Sequence, residues 1–142
     1  MLPPNIRRCK PDLVFYTVIA KNDTHKINDN ITLFNIEISL LNKLKNKIGT
    51  GMANGFTTIA GEENKIMFMQ ELYTLYLPKG TLTLTIAFTN KTNQNGVLNR
   101  TTEPYVFRIT SGTDDYTYKN GFIIVKPIND TTGLARLYFT KQ

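Results

Sequence analysis

Hydrophobic positions in this chain recur mostly at a period of two between short polar segments, and no stretch makes a convincing helix. The clearest alternation is Thr81–Thr89, with Leu82, Leu84, Ile86 and Phe88 on one face and Thr81, Thr83, Thr85 and Ala87 on the other. Ile31–Leu40 sets Ile36, Ile38 and Leu40 against Glu37 and Ser39. Leu13–Ala20 is a nearly continuous apolar run, halted by the polar Lys21–Asn30, which reads as a loop. Lys65–Leu77 is the longest strand candidate and joins Thr81–Thr89 through Pro78-Lys79-Gly80, a hairpin connection. Ile48–Ile59 carries Gly49, Gly51 and Gly55, spaced as bends where a sheet curls. Leu40–Ile48 is ambiguous between strand and a short helical turn, and Asn90–Pro104 reads as a long polar loop. Tyr105–Thr110, Asn120–Ile128 and Leu134–Thr140 supply the remaining strands.

Eight strands without a helix predict an all-β antiparallel fold. Eight is also the number at which a sheet closes around filled side chains or one small ligand, and closure removes exposed edges. An eight-stranded up-and-down barrel is therefore favoured over a sandwich. At 142 residues the chain suits one domain. Residues 1–12, with Pro3, Pro4, Pro11, Arg7, Arg8 and Lys10, form an irregular basic arm ahead of a barrel domain over 13–142.

Composition alters this picture only slightly. Hydrophobic residues at 41% and charged residues at 20% suit a packed core and exclude a disordered chain. The net charge of +6 directs attention to acidic partners, but the cations are dispersed. Lys43, Lys45 and Lys47 come nearest to a basic stripe, sharing one face if extended. Aromatic residues do not interleave with them, so nucleic-acid binding ranks last among the partners. Cys9, the single cysteine, permits no intrachain disulfide, and the single His25 in a polar loop reads as solvated. No Ser-His-Asp or Cys-His arrangement can be assembled, which excludes hydrolases of that type. There is no apolar region of signal-peptide form and no run near about 20 apolar residues, so the expectation is a chain without a membrane span, intracellular, virion-associated or already processed. Five N-x-T triplets are attributed to the abundance of Asn and Thr.

Phe107-Arg108-Ile109-Thr110-Ser111-Gly112-Thr113-Asp114-Asp115-Tyr116, followed by Asn120-Gly121-Phe122, resembles the signature of the dirigent-protein and allene oxide cyclase superfamily. Gly49-Thr50-Gly51-Met52-Ala53-Asn54-Gly55-Phe56, Met67–Leu77 with Lys79-Gly80-Thr81-Leu82, and Ile128–Tyr138 are similar to other family strands, in the same order. Each motif is loose, and the shared order across most of Leu13–Phe139 carries the resemblance. It implies an eight-stranded barrel with an apolar cavity that binds a hydrophobic small molecule, for radical coupling or epoxide cyclisation, without metal or organic cofactor. It also implies a homo-oligomer.

By that resemblance Asp115 is the candidate general acid, beside Tyr116 and Tyr118; the alternative is that Asp114-Asp115 caps a tight turn. The family's Arg position holds Asn120, and its first-strand His-Asp pair falls near Val18-Ile19, so the partners of such an acid are absent. Independently, Glu71 sits at period two with Tyr73 and Leu75: it either faces inward as a ligand-binding group or lies on the outer face. Arg136 is its partner by type only. The missing partners favour a non-catalytic barrel serving as a structural or interaction module. The Lys-, Asn- and Ile-rich, Trp-free composition makes a virion building block one concrete version, within a larger protein assembly. The alternative is a hydrophobic-ligand binder, or a cofactor-free cyclase, isomerase or dirigent-type coupling protein, with Glu71, Tyr73, Asp115, Tyr116 and Arg136 as candidate site residues.

Overall fold

The computed structural model of the protein describes residues 10–60, 66–91 and 104–140. Eight strands, β1 (Leu13–Lys26), β2 (Ile31–Leu41), β3 (Lys47–Ala60), β4 (Ile66–Leu77), β5 (Gly80–Lys91), β6 (Tyr105–Gly112), β7 (Gly121–Pro127) and β8 (Thr132–Phe139), form one closed barrel in sequence order. Every neighbouring pair is antiparallel, and β1 against β8, from Leu13↔Leu137 to Val18↔Thr132, closes the ring. The all-β, up-and-down barrel expected from the alternation is the fold.

Closure turns alternation into an inside and an outside. On β5, Leu82 and Leu84 are fully buried while the intervening threonines are only partly so. They meet Phe15, Leu40, Leu75 and Leu137 from four other strands, also fully buried. These six fill the half of the barrel that holds the β2–β3, β4–β5 and β6–β7 connections. Over that end folds a single 3-10 turn, Asp114–Tyr116, whose Tyr116 ring joins the core and lies 5.7 Å from the Phe139 ring. The filled end is where most of the apolar burial is concentrated, at about 25 cal/mol per Å² of apolar surface.

Three local readings differ from the structure. β1 continues to Lys26, through residues whose polarity suggests a loop, because their backbone pairs with β2 from Lys21↔Glu37 to Lys26↔Thr32 after a register shift at Ala20. Backbone pairing decides there, and the side chains stay exposed. His25 is accordingly a strand residue, with its Nε2 3.0 Å from the Asp23 carboxylate, and it remains solvated as expected. Lys43 and Lys45 occupy a tight turn rather than a strand, so no shared basic face forms with Lys47. The Asn42 side chain organises that turn by accepting hydrogen bonds from the Leu44 and Asn46 N–H groups, each at 3.0 Å. Lys45, at φ 67°, sets its ammonium 3.4 Å from the centroid of the Tyr16 ring, a cation–π contact rather than a free polyanion site. No helix among the described residues is long and apolar enough to cross a membrane.

The sharp return into β7 depends on one glycine. Gly121 has φ +155°, and a Cβ there would run into the Tyr138 carbonyl of the adjoining strand. Two substitutions test the division of the barrel into a filled end and a strained return. Gly121→Ala is expected to destabilise by roughly 2 kcal/mol or more through backbone strain and the close carbonyl. Leu82→Ala, which leaves a void at the filled end, is expected to cost about 2–5 kcal/mol. Urea unfolding at neutral pH reads both, and wild-type stability in either variant contradicts the assignment.

Candidate functional site

The opposite half of the barrel is hollow. A cavity of about 250 Å³ opens at the end where β1 runs into β2 and β7 into β8. Its wall is built from the inward phase of the strands: Ile36 and Ile38 on β2, Ala53 on β3, Met69, Glu71 and Tyr73 on β4, Tyr105 and Phe107 on β6, and Val125 on β7. Thr17 and Ile19 of β1 and the β7–β8 turn, Asn129–Gly133, complete it.

Local sequence sets how closely the strands approach there. The residue of β3 that faces Glu71 is Gly55, and that of β8 facing Thr17 is Gly133. At Gly55 a Cβ would meet the Gln70 carbonyl and the Phe34 ring, so the two backbones approach closely and only glycine fits opposite Glu71. The mouth is shaped by the Asn129 side chain, which accepts hydrogen bonds from the Thr131 and Thr132 N–H groups at 3.0 and 2.9 Å. Thr17 holds the strand beneath it, donating its hydroxyl to the Gly133 carbonyl at 3.4 Å.

Glu71 is the chemically distinctive group. It shares the inward phase with Tyr73 and Leu75, which are 8% and 0% exposed, and no ion pair or hydrogen bond engages its carboxyl among the described residues. Among the described residues no buried side-chain polar atom is left without a partner, so its oxygens reach the open space of the cavity. Burial removes water from the carboxylate and raises its pKa from 4.5 to about 7. Tyr73 is pushed up as well, first by burial and then by the Glu71 charge, and stays a neutral phenol. Its ring packs at 5.3 Å and 56° against Phe107, which fixes it in the wall. The result is a carboxyl deep in the wall, populated in both protonation states near neutral pH, beside a phenol in a mostly apolar pocket. Such a group can donate a proton or accept one.

The candidates read from sequence fall in three places. Glu71 and Tyr73 come together in the cavity wall. Asp115 and Tyr116 lie at the filled end: Asp115 is exposed, with its N–H donating to the Lys79 carbonyl at 3.1 Å, and Tyr116 is packed into the core. Burial, and secondarily the Asp115 charge, raises the Tyr116 pKa. Arg136 follows the outward phase of β8, between the buried Ala135 and Leu137, and makes no ion pair with Glu71. The β1 segment that the family resemblance assigns to a His-Asp pair brings Ile19 to the wall, so the acid of this cavity stands on β4. Thr17, Tyr105, Phe107 and the Asn129–Thr132 turn were not singled out by sequence. For Tyr105 and Phe107 the period-two phase with Ile109 was the available signal; for the turn there was none. Among the described residues no group of His, Cys, Asp and Glu is arranged to hold a metal ion.

No family model matches the sequence, and no curated protein matches it. Solved structures do. A pyocyanin demethylase superposes with a TM-score of 0.70 at 16% identity, over 90% of this chain and 98% of that one. A Diels–Alderase from Streptomyces koyangensis gives 0.65 at 14%, over 95% and 70%. A pterocarpan synthase dirigent protein gives 0.55 at 13%, over 89% and 83%. The fold is therefore that of the dirigent and cyclase barrels, as the sequence motifs implied.

The unpartnered carboxyl makes a stability prediction. Between pH 4.5 and about 7 the folded chain keeps a proton on Glu71 that the unfolded chain has released, so raising the pH through this window works against folding. The loss is complete above the folded pKa and amounts to about 3 kcal/mol, at roughly 1.4 kcal/mol per pH unit. Glu71→Gln removes the titration. Its stability should match wild type near pH 4 and exceed it progressively up to about pH 7.5, as read by urea unfolding across pH; parallel pH profiles contradict the buried, unpaired carboxyl.

Proposed function

We propose that the protein is a small-molecule barrel of the cyclase and dirigent type, which binds a compact hydrophobic compound in its open end and exchanges a proton with it through Glu71. The observation that carries this reading is the placement of a carboxyl without a partner among the described residues in the wall of a mostly apolar cavity. Structures evolve away from such groups unless they are used, because a buried charge without a partner is costly. The neighbours point the same way: a demethylase named for pyocyanin, a Diels–Alderase and a pterocarpan synthase are all named for work on small organic molecules. None of the three names indicates a capsid or structural role, and nothing in the site supports the virion version of the structural reading.

In this mechanism the apolar wall provides binding and Tyr105, Phe107 and Tyr73 provide flat faces for a ring. Glu71 then delivers a proton to, or removes one from, the ligand at the point where charge develops, in a medium of low dielectric that strengthens the interaction. Tyr73, as a neutral phenol, is positioned to hydrogen-bond the same ligand atom or the carboxyl. This assignment needs neither Asp115 nor Arg136.

The test is occupancy of the cavity by a neutral fluorescent probe, N-phenyl-1-naphthylamine. Wild type is expected to bind it with a blue-shifted emission. Ala53→Phe, which projects a ring from the buried β3 position into the cavity, should weaken binding about tenfold or more, and Ile36→Trp provides a second block nearer the mouth. Absence of a shifted emission in wild type, or equal binding by both folded variants, overturns the proposal.

A further inference from the structure

The charge of the described cavity wall is opposite in sign to that of the chain. With a net charge of +6, a surface of average composition around the pocket would include lysine or arginine. The described lining residues include neither, and no histidine; their ionisable side chains are Glu71, Tyr73, Tyr105 and Asp130. From this geometry we infer that the ligand carries a positive charge: a compact aromatic or alicyclic compound with one quaternary or protonated nitrogen, seated with that nitrogen toward Glu71. The inference rests on the cavity reading above and deepens it by naming the class of ligand.

Three physical arguments lead to a cation. First, a ligand filling this space displaces the water that reaches the Glu71 oxygens, and an ionised carboxylate cannot stay there without a counter-charge. The described residues facing it supply none. Ala53 and Gly55 on β3, Leu84 and Ile86 on β5, Phe107 on β6, Ile36 and Ile38 on β2, and Thr17 and Ile19 on β1 are all uncharged, leaving the phenols of Tyr73 and Tyr105 and the carboxyl of Asp130 at the mouth. Second, Tyr73, Tyr105 and Phe107 bring three aromatic rings to the same wall, and ring faces attract a desolvated cation. Third, an anionic ligand would set like charges together in a low-dielectric space with no cation among the described lining residues to offset them. Exposed cations more than about 8–10 Å away do not reverse this, since surface charges are screened over that distance at ordinary ionic strength.

A neutral hydrogen-bonding ligand is the competing class, and the sign of the pH dependence separates the two. A cation binds the ionised form of Glu71, so its affinity rises with pH through the carboxyl's titration near pH 7. A neutral acceptor binds the protonated form, so its affinity falls over the same window.

The experiment compares three naphthalenes of matched shape: 1-naphthylmethyl-trimethylammonium, its neutral carbon isostere 1-neopentylnaphthalene, and 1-naphthylacetate. The chain has no tryptophan, so naphthalene anisotropy reads binding directly. The quaternary probe has a fixed charge, so any pH dependence belongs to the protein. Expected is cation binding at least about tenfold tighter near pH 8.5 than near pH 5.5, loss of that dependence in Glu71→Gln, and the anion weakest throughout. Neutral and cationic probes of equal affinity near pH 8.5, or tighter binding of the anion, overturn the charge assignment while leaving the cavity in place. Failure of all three probes and of N-phenyl-1-naphthylamine overturns the cavity reading and this inference together. Because the pH arm uses wild-type protein, the outcome does not depend on how the variant folds.

Discussion

Everything in this structure follows from the six residue pairs that join β1 to β8. Until that ladder forms, the chain is an open antiparallel sheet with two edges, and each face is equally a surface. Once it forms, one phase of the alternation becomes an interior, shared by residues far apart in sequence. Phe15 and Leu137 enter one core, and Thr17 meets the Gly133 carbonyl, only because the first and last strands are paired. The same constraint carries Glu71 out of water. On an open sheet that carboxyl would be one more solvated side chain.

The interior so created is not uniform. One half is filled by large aliphatic and aromatic side chains and closed by the 3-10 turn with Tyr116, while the other is hollow, with Ala53 and Gly133 among the residues of its wall. The filled half holds the six largest fully buried side chains, and the hollow half holds the unpartnered acid. A group that opposes folding when ionised is tolerated because the opposite half contributes the packing. The unpartnered acid and the bulk of the packing thus occupy different ends of the same eight strands.

The architecture was legible in the alternation, because period two in a closed sheet is direct information about which side chains point inward. Thr81–Thr89 needed no further help, and the three β3 glycines marked the bends of a curling sheet. Polarity misled where the backbone outvoted it: Lys21–Lys26 pairs with β2 in spite of six side chains that all suit a loop. The site was legible only in part. Glu71 shares its phase with Leu75 and Leu77, whose burial sets the direction of the whole strand, so its inward placement was present in the pattern but competed with the general rule that charges stay outside. Asp115 drew attention through a family motif, and the motif marks the barrel's shape at an end remote from the cavity. The Asn129–Thr132 turn could not be read at all, since its role depends on where closure of the ring sets it down.

The separation of a filled end from a hollow one bears on how such a protein can change. A substitution at Ile36, Tyr105 or Val125 alters the shape of an existing void and leaves the interdigitated layer around Leu40, Leu75 and Leu82 intact. New cavity shapes are therefore reachable by single steps through folded intermediates, without a compensating second change elsewhere. A lineage built on this barrel is free to wander in chemistry while its scaffold stays recognisable, and the open end is where its history of use should be written.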